Sequence, residues 1–291
     1  MSGAPRRVAR SSQATPSPGT ASPGASSSSA APFSELVALG AGGFFPSQGR
    51  QTMSFLLCGP DVTLVLDAGT GLGRLAEPAI AARLEEVERL EVVLSHYHLD
   101  HVVGLACLGA VWRRPVRIHA PAPPLVDVEP AQALARLIAP PLFPATLDQF
   151  PIPVEVAPYA GDFELGGVAV RTRRHTHPGG SVGVRLGDQL AYVTDTVADP
   201  QTASFARGVR WLLHEVWVDD RQAAQDPKLV AGHSSPRAVA KIAAAAQVER
   251  LVPVHHHPLR DAHALATLHD ELRQASPVAV TLLEEGVGLA L

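Results

Sequence analysis

Three histidines and one aspartate fall within six residues of this chain. An apolar run directly before them predicts the end of a buried strand, and an apolar stretch directly after them predicts the first turn of a helix. In an extended strand, side chains two residues apart point to the same side, and a turn into a helix would swing the last two towards a second point nearby. Imidazole nitrogens and carboxylate oxygens are ligands that divalent metals such as Zn²⁺ take. The spacing therefore predicts two metal ions in one cleft, held by His96, His98, Asp100 and His101.

Composition excludes several classes of protein. The 291 residues carry a formal net charge of −4, so there is no global basic field to gather nucleic acid. The two cysteines, Cys58 and Cys107, are too few for a disulfide framework, which favours a reducing, cytoplasmic location. No apolar run approaches the length of a membrane span, so we expect no membrane partner.

The first 33 residues differ in composition from the rest. They are rich in Ser, Pro, Ala and Gly, and the first acidic residue of the chain is Glu35. Such a segment cannot bury a core and is predicted to be a disordered tail. Its Arg- and Ser-rich, acid-poor composition also fits an organelle transit peptide, which is the alternative interpretation. Residues 34–291 are predicted to form a single domain.

Strands and helices alternate along that domain, and several of the predicted strands end at residues whose side chains can bind metals. One strand is predicted before Asp67, and others end near His177, Asp195 and His255. We expect one amphipathic helix over residues 72–90, another over 131–138, and helices opened by Ser235 and Asp261. The Pro-rich segment 121–158 is expected to wall the substrate cleft. The order of elements predicts an α/β protein, a four-layer αββα sandwich.

The histidine-rich stretch, with the strand followed by Asp67-Ala68-Gly69, resembles the signature of the metallo-β-lactamase superfamily. That superfamily has the same four-layer fold. The resemblance implies that Asp67 holds the metal-binding loop through hydrogen bonds. It also implies the metal ligands: His96, His98 and His177 for one ion, Asp100, His101 and His255 for the other, and Asp195 as the bridge between them.

Two of these assignments have neighbours that compete with them. His177 is preferred over His175 because it stands directly before Pro178-Gly179-Gly180, as the superfamily's ligand stands before such a turn. In the last cluster His255 comes first after the strand, where relatives place the ligand. His256 and His257 are the alternatives if the register differs by one or two residues.

A pair of divalent ions lowers the pKa of a shared water, so that a metal-bridging hydroxide exists near neutral pH. Asp100 therefore counts among the catalytic residues as well as the ligands. We expect two zinc ions, with manganese or iron as alternatives. A protein nucleophile is not indicated, because neither cysteine has a setting that would activate it.

Three further motifs resemble the ribonuclease Z and phosphodiesterase branch of the superfamily. They are the glycine turn, strand and Asp-Ala-Gly within Leu39 to Gly71, the run from His177 to Gly183, and the pair formed by Leu213-His214-Glu215 and Gly232-His233-Ser234 ahead of an Ala-rich helix. The resemblance implies that His233 acts on the phosphate and that Glu215 orients it. The chain departs from ribonuclease Z in two ways: it has no long basic insertion to grip transfer RNA, and its last cluster lacks the His-x-Ser-x-Arg form.

The sequence therefore favours a dinuclear metal-dependent phosphodiesterase acting on a small or nucleotide-like substrate. The alternatives are a transfer RNA 3′-end endonuclease and a carbonyl hydrolase such as a lactonase, thioesterase or β-lactamase. A non-catalytic metal-binding scaffold is a fourth hypothesis, disfavoured because all the superfamily's ligands are present. RNA is a less favoured partner than a small molecule, and a homodimer is expected only because relatives often dimerise.

Overall fold

The computed structural model describes residues 31–291. The predicted disordered tail, or transit peptide, lies outside these residues except for its last three positions. Of those three, Phe33 is fully buried, and its backbone exchanges two hydrogen bonds with the side-chain amide of Gln189 (2.9 and 2.6 Å). Phe33 therefore belongs to the folded domain.

The described residues form fourteen strands. In chain order they are β1 (Glu35–Gly40), β2 (Ser54–Cys58), β3 (Thr63–Leu66), β4 (Leu90–Val93), β5 (Val116–Pro121), β6 (Val154–Tyr159), β7 (Phe163–Leu165), β8 (Val168–His175), β9 (Ser181–Leu186), β10 (Leu190–Val193), β11 (Trp211–Glu215), β12 (Arg250–Val254), β13 (Ala279–Val280) and β14 (Gly288–Ala290).

The described residues also form eight α-helices. The α-helices of the described chain are α1 (Pro78–Ala81), α2 (Leu99–Val102), α3 (Leu108–Val111), α4 (Pro130–Leu137), α5 (Gln201–Phe205), α6 (Asp220–Gln225), α7 (Pro236–Ala246) and α8 (Ala262–Ala275). Short 3₁₀ turns join them at Thr70–Ala76, Ala82–Leu84, Val103–Cys107, Leu147–Gln149 and Pro227–Val230. Within residues 31–291 no helix has both the length and the apolar character needed to cross a bilayer.

The strands make two seven-stranded sheets of matching design. The order is β14-β1-β2-β3-β4-β5-β6 in one sheet and β13-β12-β11-β10-β9-β8-β7 in the other. Strands β3 to β6 are parallel to one another, as are β10 to β13, and the remaining pairs are antiparallel. Ligands of α/β proteins bind outside the carboxyl ends of such parallel strands, which is where the predicted site residues lie.

The two sheets pack face to face with helices outside, so the predicted four-layer αββα sandwich is confirmed. The central core joins side chains of both sheets, among them Phe55, Leu64, Tyr192 and Leu213. In two outer hydrophobic cores the helices pack against the sheets. The middle strands β9, β10 and β11 are buried at every position, which explains why they show apolar runs rather than alternation.

The predicted single helix over residues 72–90 is wrong. Its apolar positions are buried as the spacing predicts, but the chain runs as a 3₁₀ turn, the four-residue helix α1 and a second 3₁₀ turn. The break is at Glu77, whose backbone is extended (φ −68°, ψ 132°). It precedes Pro78, and a residue before proline is forced out of the helical region.

Candidate active site

The histidine-rich motif spans the connection between β4 and α2. His98 is extended and caps α2, and Asp100 and His101 lie in the helix, as the sequence predicts. Each of two residue groups offers donor atoms within 4.8 Å of one another, which is close enough to hold a metal ion. The groups are His96, His98, His177 and Asp195, and Asp100, His101 and His255.

Asp195 lies between the two groups and presents one carboxylate oxygen to each. Its Oδ2 is 3.4 Å from His177 Nε2 and 3.8 Å from His96 Nε2. Its Oδ1 is 3.1 Å from His101 Nε2 and 3.3 Å from His255 Nε2. Asp195 is therefore placed to contribute one carboxylate oxygen to each group.

Asp67 determines how two of these histidines are oriented. Its carboxylate accepts hydrogen bonds from the Ser95 backbone N–H (2.6 Å), the Ser95 hydroxyl (2.7 Å), the Tyr192 hydroxyl (2.6 Å) and His101 Nδ1 (2.7 Å). The Ser95 oxygen in turn lies 3.0 Å from His96 Nδ1 and accepts from it. With Nδ1 as the donor in both rings, the Nε2 atoms of His96 and His101 face the cluster and would be the atoms that bind a metal ion once any second proton has left.

Those two Nε2 atoms are buried and have no hydrogen-bond partner. A buried imidazole nitrogen without a partner is costly, and a divalent cation at the centre of each group would satisfy it. The donor set of imidazole and carboxylate suits Zn²⁺, Mn²⁺ or Fe²⁺. The residues present therefore fit a pair of divalent ions.

Three site residues lie at strand ends with left-handed backbone. Asp67 follows β3 (φ 56°), Asp195 follows β10 (φ 45°) and His255 follows β12 (φ 56°). A non-glycine residue in this region costs about 1–3 kcal/mol, and such residues cluster at functional sites. The left-handed turn redirects the side chain from the sheet into the space between the strand ends.

The charges of the site are strongly coupled. Burial would lower the pKa of His255, but the carboxylates of Asp195 and Asp100 raise it to about 10. Burial would raise the pKa of Asp195, but His255 and His101 hold it well below its usual range. In the metal-free protein, protons on these histidines therefore balance the carboxylates, and metal ions would displace those protons.

A histidine–glutamate pair borders the two groups. His233 Nδ1 donates to Glu215 Oε2 at 2.8 Å, and the other oxygen of this fully buried carboxylate accepts the backbone N–H of Thr196 at 2.8 Å. Burial would raise the pKa of Glu215, but the neighbouring His233 and His255 lower it overall. The sequence-based prediction that Glu215 orients His233 matches this geometry.

Sequence reasoning missed three residues that shape the site. The indole of Trp217 stacks on His233 (centroids 4.5 Å apart) and on His255 (4.9 Å). A Cβ on Gly43 would lie 2.5 Å from His255 Nε2 and 2.6 Å from the Trp217 ring, so only glycine fits there. The Phe44 backbone N–H donates to Asp100 Oδ2 at 2.6 Å. The glycine run before Phe44 was the available sequence signal, but a glycine turn alone is weak evidence for a functional site.

The competing histidines point elsewhere. His175 is buried at the end of β8 beside Phe205 and Gly183. His256 is buried against His269, with centroids 4.9 Å apart, and takes no part in either group. The geometry therefore favours His177 and His255 as the ligands.

A family model described as the beta-lactamase superfamily domain matches residues 63–256, from β3 to His256. The chain belongs to the beta-lactamase superfamily. A search of curated proteins found no match.

Solved structures of the superfamily are similar over nearly the whole described domain. The metallo-beta-lactamase fold protein YhfI from Bacillus subtilis is 18% identical, with 89% of this chain and 100% of that chain covered and a TM-score of 0.70. A diphosphatase from the PhnP family is 17% identical (89% and 98% covered, TM-score 0.62). Human tRNase Z, short form, is 19% identical (88% and 98% covered, TM-score 0.59). At these identities the likeness shows the metallo-β-lactamase fold.

A cleft opens directly over the two groups of candidate metal ligands. It encloses about 410 Å³ and its walls are Phe44, His98, Leu99, Asp100, His177, Asp195, Trp217, His233 and His255. The Pro-rich segment 121–158, expected to wall the cleft, contributes no residue to this lining. It borders a neighbouring groove instead.

Proposed function

We propose that this member of the superfamily is a metal-dependent phosphodiesterase that acts on a small phosphodiester. The observation that carries the proposal is the pair of His233 and Glu215 at the edge of a cleft that also contains the Asp195-centred groups. With Nδ1 bonded to Glu215, His233 has Nε2 free to reach an oxygen of the substrate. Two divalent ions held by the two groups would supply Lewis acidity and an activated water.

The chain's own residues have distinct tasks in this proposal. Asp195, Asp100 and the histidines of the two groups would hold the ions. Glu215 fixes the ring of His233 and stabilises positive charge on it, so that His233 can donate a proton to the leaving oxygen. Trp217 covers one face of that ring and limits its rotation. The leaving alcohol takes that proton as its bond to phosphorus breaks.

The comparisons support phosphorus chemistry without naming a substrate. Two of the similar structures are a diphosphatase and a tRNase Z. The cleft lining contains no Lys or Arg among the described residues, whereas a polyanion such as RNA is held mainly by such side chains. A small phosphodiester with one negative charge therefore fits better than transfer RNA.

The test is turnover of bis(p-nitrophenyl) phosphate by the full chain loaded with Zn²⁺ or Mn²⁺, beside a lactone and a cephalosporin. We expect metal-dependent cleavage of the phosphodiester alone. Cleavage of a carbonyl substrate alone would assign the protein to the carbonyl hydrolases. Inactivity on all three, with metal bound, would favour the non-catalytic scaffold.

The role of His233 is tested with a matched control. His233→Ala should retain both metals and lower kcat by roughly a hundredfold or more on a diester whose leaving group is an alkyl alcohol, as expected for loss of a general acid; p-nitrophenolate leaves without a proton, so cleavage of bis(p-nitrophenyl) phosphate should slow much less. His263→Ala changes an exposed histidine on α8 and should have no effect. Loss of metal from the His233 variant would instead identify His233 as a ligand, since its donor atom lies within 4.8 Å of those of Asp195 and His255.

A further inference from the structure

Two side chains of the histidine-rich motif line a groove beside the cleft. Tyr97 and Leu99 stand between the predicted ligands in the sequence. Tyr97 is half-buried, and its hydroxyl donates to the Pro121 carbonyl at 2.6 Å. Leu99 is 63% exposed, although a large apolar side chain is usually covered. Both side chains line a groove of about 210 Å³.

This groove is apolar along most of its length. Its other walls come from α2, from α4 and from the segments flanking α4, and they are Val102, Val128, Ala133, Leu134, Arg136, Leu137 and Leu142. Leu142 is 77% exposed. Arg136 is the one charged side chain in this lining within residues 31–291, and it is exposed.

The groove is continuous with the cleft through Leu99, which lines both. On the opposite rim of the cleft, Phe44 is 69% exposed and Phe45 packs edge-on against it at 5.3 Å. The backbone of Phe44 is fixed by its bond to Asp100, so its ring is held at the mouth of the site. Apolar side chains exposed together around a site indicate a surface that an apolar ligand covers.

We infer that the substrate is a phosphodiester monoanion with an apolar substituent, which passes over Leu99 and lies in the groove up to Leu142. This inference rests on the proposed function and narrows its substrate class. The distribution of charged residues between the cleft and the groove supports this choice of substrate. Metal ions held by the histidines and carboxylates of the cleft would bind the phosphoryl group, while the groove offers apolar contacts. With Arg136 as the one cation of its described lining, the groove suits an apolar substituent better than a further phosphate.

The test compares two esters with the same charge and the same leaving group. Octyl p-nitrophenyl phosphate and methyl p-nitrophenyl phosphate both release p-nitrophenolate when the oxygen of water bonds to phosphorus and the aryl P–O bond breaks. Burial of a few methylenes should give the octyl ester a kcat/KM at least roughly tenfold higher. Leu142→Ser should reduce this preference several-fold. Val287→Ser, at a 51% exposed position that lines neither cavity, should leave it intact.

Each outcome is informative. Equal kcat/KM values for the two esters would overturn the apolar-substrate inference and leave the phosphodiesterase intact. Failure to cleave either ester with metal bound would refute the proposed function itself. If the octyl preference is absent and Leu142→Ser converts a dimer into a monomer in size-exclusion chromatography, the groove belongs to a second copy of this chain, and the inference is wrong.

Discussion

Replacement of Asp67 by Asn tests whether one buried carboxylate organises the whole metal loop. The carboxylate is fully buried and accepts four hydrogen bonds, all of 2.6–2.7 Å. Asparagine has nearly the same shape and tolerates the left-handed backbone at this position (φ 56°), so the change alters the hydrogen bonds and little else.

The expected loss of stability follows from counting hydrogen-bond acceptors. An amide has one acceptor oxygen, and its NH₂ group must face either the Ser95 N–H or the side where Ser95, Tyr192 and His101 donate. In the better orientation one buried donor loses its partner, which costs about 1–3 kcal/mol. The other three bonds pass from a charged to a neutral acceptor and lose about half their strength. We expect the free energy of unfolding to fall by about 3–7 kcal/mol in total.

The effect on the metal groups is separate from the effect on stability. With a weaker acceptor at Nδ1, His101 is held less strongly in the tautomer that leaves Nε2 free, and the Ser95 hydroxyl that supports His96 is held less firmly. Loss of such a supporting contact typically weakens metal binding 10–100-fold. Asp100 and Asp195 remain in place, so binding should weaken rather than vanish.

The assay is urea unfolding of the metal-free protein, combined with zinc affinity from competition with a chromogenic chelator. Asp61→Asn makes the same chemical change at an exposed position and should alter neither quantity. An Asp67→Asn protein that unfolds within about 0.5 kcal/mol of the wild type and binds zinc equally well would refute the reasoning.

Three other outcomes follow from the same geometry. Gly43→Ala should fold but lose metal affinity, measured by chelator competition, because its Cβ would overlap two rings of the site at 2.5 and 2.6 Å. Trp217→Ala should lower kcat more than it raises KM because His233 loses its stack, and Trp217→Phe should recover most of the loss. Burial lowers the pKa of His269 to about 4. The unfolded chain then takes the proton first, so this residue alone should lower the stability by about 2 kcal/mol from pH 7 to pH 5. The wild type should therefore lose about that much more stability than His269→Gln, with exposed His263→Gln as control.

The sequence was sufficient for those parts of the site that lie within one stretch of chain. The spacing of His96, His98, Asp100 and His101 is a local property, and period-2 and period-3.6 geometry then determine where each side chain points. The strands that end at Asp67 and Asp195 were predicted from their apolar runs. The layers followed from the order of elements, because a buried sheet face must pack against another element.

Contacts between distant segments were beyond sequence reasoning. Phe44 meets Asp100 across 56 positions, and Glu285 accepts the backbone N–H groups of Ala41 and Gln51 across more than 230. Such pairs depend on the register between strands, and no local pattern encodes that register. The predicted helix over residues 72–90 failed for a different reason: its apolar period was correct, but the effect of Pro78 on the residue before it prevailed over the period.

The distant contacts also explain why the loop from Gly40 to Phe44 is rich in glycine. The loop must pass close to the ring of His255, and at Gly43 a side chain would overlap that ring. Glu285 holds the start of the loop, and the Phe44 N–H at its end fixes Asp100. Because Asp100 follows a strand of one sheet and His255 follows a strand of the other, this loop contacts both sheets of the sandwich. A change in the loop should therefore disturb the group of Asp100, His101 and His255 before the other group, since the three atoms nearest to a Cβ at Gly43 belong to His255 and Trp217.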